Sequence, residues 1–117
     1  MADSKKIVIF ITHTPFCGDF CEEGLRLALG TGNSMISHDV TLVFAGDGAW
    51  FALKSLQQRD FEKYIKALSA LDGTMIIEKE SLDDRKIAED MIKPEIQIMS
   101  RAAIFEILKE SDFSISY

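Results

Sequence analysis

Two cysteines and a nearby histidine are the residues best suited to chemistry in this chain. They lie in the stretch HTPFCGDFCEEG, residues 13–24, where Cys17 and Cys21 are the only cysteines and His13 precedes both. A thiolate is a nucleophile, and thiol exchange favours an accessible attacker with a second thiol nearby. The stretch therefore predicts a catalytic site in which Cys17 is the exposed nucleophile. Cys21 is then the second thiol, which resolves the bond formed on Cys17 or receives the group that it carries.

Other interpretations of the two thiols stay open. Cys21 falls in the first turn of a predicted helix, where the dipole favours an anion but two adjacent glutamates oppose it. A disulfide requires Cys17 to lie off that helix, because helical positions four apart hold their β-carbons about 5–6 Å apart, beyond the ~3.8 Å of a disulfide. Both thiols are also compatible with ordinary buried positions. A metal site with His13 and His38 would have spacings unlike those of structural zinc sites, so we expect neither a metal nor a cofactor.

The length and composition of the chain are those of one globular domain, residues 1–117. Hydrophobic residues make up 47% and charged residues 27% of the sequence, close to average usage. The net charge of −6 and the lack of a basic patch argue against a nucleic-acid surface. No apolar run is long enough for a secretory signal or a membrane span. With only two cysteines, we expect a cytoplasmic protein with free thiols.

Strand patterns alternate with helix patterns along the whole sequence. The predicted strands are 5–12, 38–46, 74–80, 95–100 and 112–117. Helices are predicted from near Asp19, around 50–56 after the GDGAW turn, and over 61–71 with Gly73 ending the last of these. Ser81 with Asp84 predicts a capping box over SLDDRKIAEDM, residues 81–91. Ser100 is predicted to cap a final helix that carries Ile104, Phe105, Ile107 and Leu108.

This alternation predicts an α/β fold: a three-layer, doubly wound, mainly parallel five-stranded sheet with helices on both faces. Ligands in such sheets bind at the carboxyl ends of the strands. The loops 13–19, 46–49 and 78–81 are therefore expected to lie together. Within them, His13, Asp47 and Gly48 are candidate ligand-binding residues, and the GDGAW loop alone is compatible with a small-ligand sensor. No phosphate-binding glycine motif follows any strand.

Four segments, in order, resemble the DsrE/DsrF-like proteins: EEGLRLAL, VFAGDGAW, SLDDRKI and SDFSISY. The likeness covers nearly the whole chain and is greatest to the DsrF/TusC type. The resemblance implies a doubly wound parallel sheet and a cytoplasmic role in sulfur relay. It also implies a homo- or hetero-oligomer, a trimer or hexamer of related subunits, with sulfur donor and acceptor proteins as partners and neither nucleic acid nor membrane.

The chain departs from this family at the expected sulfur site. DsrE/TusD-type members carry persulfide sulfur on a cysteine in the loop after the third strand, where this chain has Glu78, Lys79 and Glu80. Lys86 also replaces a glycine that the family often has after the arginine. Two hypotheses follow: a sulfurtransferase or persulfide carrier whose chemistry has moved to Cys17 and Cys21, or a non-catalytic binding subunit that docks a cysteine-bearing partner through the region of Trp50.

Overall fold

The computed structural model describes residues 5–13, 39–54, 59–70 and 73–117, with 59–62 described as backbone only. Its five strands are β1 Lys6–Ile11, β2 Asp39–Phe44, β3 Thr74–Glu78, β4 Gln97–Met99 and β5 Phe113–Ser116. They form one parallel sheet in the order β4-β3-β2-β1-β5. The described α-helices are α1 Arg59–Ala70, α2 Lys79–Asp84 and α3 Arg101–Glu110. Short 3-10 helices span Gly46–Ala52 and Glu89–Met91.

The central strands are apolar on both faces because both faces of the sheet are covered. In β1, Ile9 packs into the larger core while its neighbour Val8 packs into the smaller one on the other face. Leu42 and Val43 of β2 divide in the same way. Successive side chains of a strand point to opposite faces, so continuous β-branched runs suit a buried parallel sheet.

The larger core lies between one face of the sheet and the first 3-10 helix, α1 and α2. Phe51 of the 3-10 helix, Ile65 of α1 and Leu82 of α2 are all buried there. On the opposite face α3 covers the sheet, and its Ile104 packs against Val8, Val43 and Ile76. The reversal of strand order between β4 and β5 explains this arrangement, since a right-handed crossover running back across the sheet passes over the other face. The predicted doubly wound α/β fold is confirmed.

Two predicted helices differ from the structure in position. The GDGAW segment is not a turn before a helix at 50–56 but itself forms the 3-10 helix, after which Leu53 makes an antiparallel bridge to Ile92. Helix α2 begins at Lys79 rather than at Ser81 and ends at Asp84, and Glu78 in the N-cap position makes no side-chain capping bond. The predicted capping box at Ser81 is therefore wrong, because the Ser81 hydroxyl bonds elsewhere.

The last helix follows its prediction closely. The Ser100 hydroxyl accepts a hydrogen bond from the Ala103 amide, as an N-cap does. Both Ile104 and Phe105 lie on this helix as predicted; Ile104 is buried and Phe105 is 53% exposed. Among the described helices the longest has 12 residues, short of the ~20 needed to cross a bilayer, and none qualifies as a membrane span.

Candidate functional site

The carboxyl ends of the three central strands meet at one edge of the sheet. Ile11 of β1 is in register with Phe44 of β2, which is in register with Ile77 of β3. The residues that follow these strands are therefore neighbours. This confirms the predicted proximity for the described parts of the three loops, namely His13, the segment 46–49 and the segment 78–81.

A buried serine ties the loop after β2 to the loop after β3. The amide of Gly46 donates to Ser81 Oγ over 2.9 Å, and Ser81 Oγ in turn donates to Glu78 Oε1 over 2.7 Å. Gly46 has a φ of +55°, a conformation that glycine adopts without steric strain. Ser81 is 2% exposed, so its hydroxyl is a structural link and not a nucleophile open to substrate.

Glu78 also joins β3 to the start of α3. The Arg101 side chain donates to Glu78 through Nε over 3.2 Å and through Nη2 over 3.1 Å, a two-point contact with the carboxylate. The backbone amide of Arg101 donates to Glu80 over 2.9 Å. The carboxylates of Glu78, at the end of β3, and Glu80, in α2, therefore fix the first turn of α3. We call the set Glu78, Glu80, Ser81 and Arg101 the Glu78 cluster.

The Glu78 cluster determines the charge of its central carboxyl. The Glu78 side chain is only 12% exposed, and burial alone would raise its pKa. Hydrogen bonds from Arg101 and Ser81, together with the positive charges of Arg101 and Arg85, outweigh burial and hold the pKa of Glu78 below its ordinary value of 4.5. The same contact raises the pKa of Arg101. Glu78 is thus a carboxylate at neutral pH, suited to accept hydrogen bonds and not to donate a proton.

A second ion pair closes the edge beside this cluster. Arg85 Nη2 donates to Asp47 Oδ1 over 2.8 Å, and Arg85 Nη1 donates to the Ser81 carbonyl over 3.3 Å. The next residue, Lys86, has a φ of +54°. The turn after Arg85 therefore keeps the left-handed conformation that favours glycine, although the residue is lysine.

The 3-10 helix packs directly onto the end of β1. A β-carbon added to Gly48 would lie 1.9 Å from the Ile11 carbonyl oxygen. On the other side of β1, the Thr12 amide and hydroxyl donate to the Tyr117 carbonyl over 2.7 and 2.8 Å. His13 is exposed, with its Nδ1 3.5 Å from Thr12 Oγ1. The end of β1 is therefore held on both sides, at Ile11 and at Thr12.

Comparisons with known proteins identify the fold and the family. The sequence profile of the DsrE/DsrF-like family matches residues 5–117. The chain belongs to the DsrE/DsrF-like family. A comparison with curated proteins found none that matches.

Solved structures with this fold are similar over almost the entire chain. The ychN protein from E. coli superposes with a TM-score of 0.86 at 18% identity, covering 97% of this chain and 99% of its own. A conserved protein of unknown function from Bacteroides thetaiotaomicron has a TM-score of 0.73 at 14% identity, covering 97% and 95%. A protein of unknown function from Methanobacterium thermoautotrophicum has a TM-score of 0.74 at 14% identity, covering 97% of this chain and 100% of its own. At these identities the likeness shows the fold alone.

The structure describes three of the five predicted site residues of this DsrE/DsrF-like chain. Asp47 is 58% exposed and paired with Arg85, and Gly48 is buried against β1. His13 lies at the same sheet edge, after β1. Their roles in ligand binding stay predictions. Cys17 and Cys21 lie outside the described residues, and their catalytic role also stays a prediction.

The described part of the site contains no thiol, and the Glu78 cluster lies where β3 passes directly into α2. Within the described ranges, no group of three His, Cys, Asp or Glu residues could hold a metal ion. Sequence reasoning missed Arg101 and Arg85 as parts of this edge. A signal for Arg101 was present, because it directly follows Ser100 after β4 and so stands at the same carboxyl edge as Glu78.

Proposed function

We propose that the chain is a cytoplasmic sulfur-relay protein that carries sulfane sulfur as a persulfide on Cys17, within an oligomer of related subunits. Membership of the DsrE/DsrF-like family supports a place in sulfur relay. The observation that carries the proposal is the Glu78 cluster, because paired polar groups lie between β3 and α2, where the family resemblance leads us to expect a thiol. A persulfide on this chain must then form on Cys17 or Cys21, the only cysteines in the sequence.

Covalent geometry supports Cys17 as that thiol. Cys17 follows His13 by four residues, and a fully extended chain spans at most ~3.6 Å per residue. Its α-carbon therefore lies within about 14 Å of that of His13, which stands at the carboxyl edge. Cys21, four residues further on, is proposed as the second thiol that resolves or receives the sulfur.

The proposed chemistry needs no added oxidant. The Cys17 thiolate attacks the outer sulfur of a polysulfide or persulfide donor, so that a new S–S bond forms on Cys17 as the donor S–S bond breaks. A persulfide donor leaves as a thiolate, and a polysulfide donor leaves as a polysulfide one sulfur shorter. An acceptor thiolate then attacks the outer sulfur of the Cys17 persulfide and releases the Cys17 thiolate. Alternatively, Cys21 attacks the inner sulfur, giving a Cys17–Cys21 disulfide and hydrosulfide.

The experiment is an intact mass spectrum under non-reducing conditions after incubation with polysulfide, followed by peptide mapping. We expect the wild-type chain to gain the mass of sulfur atoms on the peptide that contains Cys17, and reductant to remove them. Cys17→Ser should lose loading, while Cys21→Ser is the matched control that retains a first sulfur on Cys17. Full loading of the double serine variant, or no loading of a wild-type chain whose thiols are also slow to alkylate, would contradict the proposal.

The second candidate is a non-catalytic DsrF/TusC-like subunit that docks a cysteine-bearing partner. It is favoured by the hydrogen bonds of the Glu78 cluster, which give the junction of β3 and α2 a structural role. Trp50 is partly buried against the core and leaves some of its surface open for such a partner. Copurification with a coexpressed cysteine-bearing homologue, combined with no sulfur loading of this chain, would support this candidate over the carrier.

A further inference from the structure

A cavity lies at the amino edge of the sheet, on the face that α3 covers. Its volume is about 240 Å³, and its lining includes the first residues of three strands, Lys6 of β1, Asp39 of β2 and Thr74 of β3. The carboxyl edge lies at the other end of these strands. For β1 this is roughly 16 Å away, because a parallel strand advances about 3.3 Å per residue. The cavity is therefore separate from the site described above.

The floor of this cavity is polar, although it continues the smaller apolar core. Val8, Val43 and Ile76 pack into that core beneath α3, and successive side chains of a strand point to opposite faces. Residues two or four positions before them in the same strands therefore share their face. Those that line the cavity are Lys6, Asp39, Thr41 and Thr74. The sheet thus presents a row of polar side chains next to its apolar centre.

Two half-buried threonines form the middle of this floor. Thr41 and Thr74 are in register on β2 and β3, so their side chains lie on neighbouring strands about 4.8 Å apart. Both residues are described, and no side-chain hydrogen bond joins one to the other. A hydroxyl can donate and accept, so the floor offers both kinds of group to a bound molecule. Val8 and Ile107 add apolar surface to the same cavity.

Charges of both signs line the cavity without pairing with each other. Lys6 supplies an ammonium group, and its register partner Asp39 supplies a carboxylate. Glu110, the last residue of α3, supplies a second carboxylate beside the negative end of the helix dipole. All three residues are described, and neither carboxylate forms an ion pair with Lys6. Their charges are therefore left to water or to a ligand.

This set of groups selects the class of ligand. An anion alone would be repelled by two carboxylates, and a cation alone would be repelled by Lys6. Among the described residues no group of three His, Cys, Asp or Glu could hold a metal ion. A zwitterion matches both signs, because its carboxylate accepts from a lysine while its ammonium donates to carboxylates. At about 30 Å³ per water molecule, the cavity has room only for a small molecule.

We propose that this cavity binds a small zwitterion of the α-amino acid type. The ligand carboxylate binds Lys6, its ammonium binds Asp39 and Glu110, and an apolar side chain packs against Val8 and Ile107. This inference does not rest on the proposed sulfur chemistry, because none of these residues belongs to the proposed sulfur site. It predicts that both charges of the ligand are needed together, and probes that lack one of them test this.

The binding experiment is an NMR titration of the isotope-labelled full chain with L-valine. The matched probes are isovalerate, which lacks the ammonium, and isobutylammonium, which lacks the carboxylate. We expect L-valine to shift the amide resonances of Lys6, Asp39 and Thr74 in a saturable way. It should bind at least about tenfold more tightly than either probe, since each probe loses a charge-assisted hydrogen bond. No saturable shift at millimolar L-valine, or equal affinity for all three molecules, would overturn the proposal.

Substitutions in the chain assign each charge of the ligand to its partner. Lys6→Ala should weaken L-valine binding at least about tenfold and should not weaken isobutylammonium binding. Asp39→Asn combined with Glu110→Gln should weaken L-valine binding similarly and should not weaken isovalerate binding. Lys109→Ala is the matched control, because Lys109 is a cation of α3 that does not line the cavity. Thermal unfolding by circular dichroism verifies that each variant folds. L-valine binding that Lys6→Ala changes no more than Lys109→Ala does would overturn the assignment.

Discussion

At the carboxyl edge of the sheet, the Glu78 carboxylate accepts hydrogen bonds from Ser81 and Arg101, and the Gly46 amide reaches Ser81. Along the outer side of β5, the Ser114 and Ser116 backbone groups have no strand partner in the described part of the chain. Buried polar groups must be paired within the molecule, while exposed ones can bond to water or to a second molecule. The first region therefore maintains the fold, and the outer side of β5 contributes little to it.

The largest expected effect is that of Gly48→Ala at the carboxyl edge. The added β-carbon would meet the Ile11 carbonyl oxygen at 1.9 Å, so either the 3-10 helix or the end of β1 has to move. We expect a loss of about 3 kcal/mol or more in the free energy of unfolding, measured by urea denaturation. Ser116→Ala on β5 is the control and should change it by less than about 0.5 kcal/mol.

The losses in free energy of unfolding caused by Gly48→Ala and Ser116→Ala should differ clearly. If they differ by less than about 1 kcal/mol, the contrast between the paired carboxyl edge and the open outer side of β5 is wrong. A matching outcome at both sites would mean that the 3-10 helix relaxes away from β1 without penalty. It would also remove the structural reason for glycine at Gly48, and leave the prediction of ligand binding there as the remaining explanation.

Glu78→Ala should have the next largest effect. It leaves the buried Ser81 hydroxyl without its acceptor and separates Arg101 from β3, so we expect a loss of about 2 kcal/mol by urea denaturation. Asp47→Ala is the matched control, because it removes an ion pair whose carboxylate is 58% exposed. Exposed pairs contribute little, and this loss should stay below about 1 kcal/mol. Equal losses would show that burial does not distinguish the two ion pairs.

The lowered pKa of Glu78 gives this comparison a pH dependence. Because the pKa of Glu78 is lower in the folded chain than its ordinary 4.5, the unfolded chain binds more protons around that pH. The stabilisation is therefore present above about pH 4.5 and is lost as the pH falls through the lower folded-state pKa. The difference in melting temperature between wild type and Glu78→Gln should shrink over that acidic range. A difference that stays constant with pH would contradict this assignment.

Local sequence signals were enough to predict much of the fold. The β-branched runs of β1 and β3, the helical spacing of α1 and the cap at Ser100 each depend on neighbours within a few residues. The described elements agree with these predictions to within a few positions.

The site was harder to predict because its contacts join distant residues. Ser81 fitted a local capping box, but its hydroxyl bonds to Gly46, 35 residues away. Arg101 reaches Glu78 across 23 residues. The segment whose glycines predicted a turn is a 3-10 helix, and its Gly48 packs against Ile11, 37 residues away along the chain. Such contacts depend on strand order and register, which periodicity alone does not determine.

The smallest effect is expected at Lys86, where a change should stabilise the carboxyl edge. Lys86 has a φ of +54°, a conformation that costs an L-residue roughly 1–2 kcal/mol, part of which is offset by the greater entropy of glycine in the unfolded chain. Lys86→Gly should therefore raise the free energy of unfolding by about 1 kcal/mol, measured by urea denaturation. Lys63→Gly, in the exposed face of α1, is the same substitution in a helical setting and should lower it by about 1 kcal/mol. Opposite signs would show that the backbone conformation at Lys86, and not the loss of a lysine side chain as such, sets the effect. A loss at both positions would mean that the Lys86 side chain itself supports this edge.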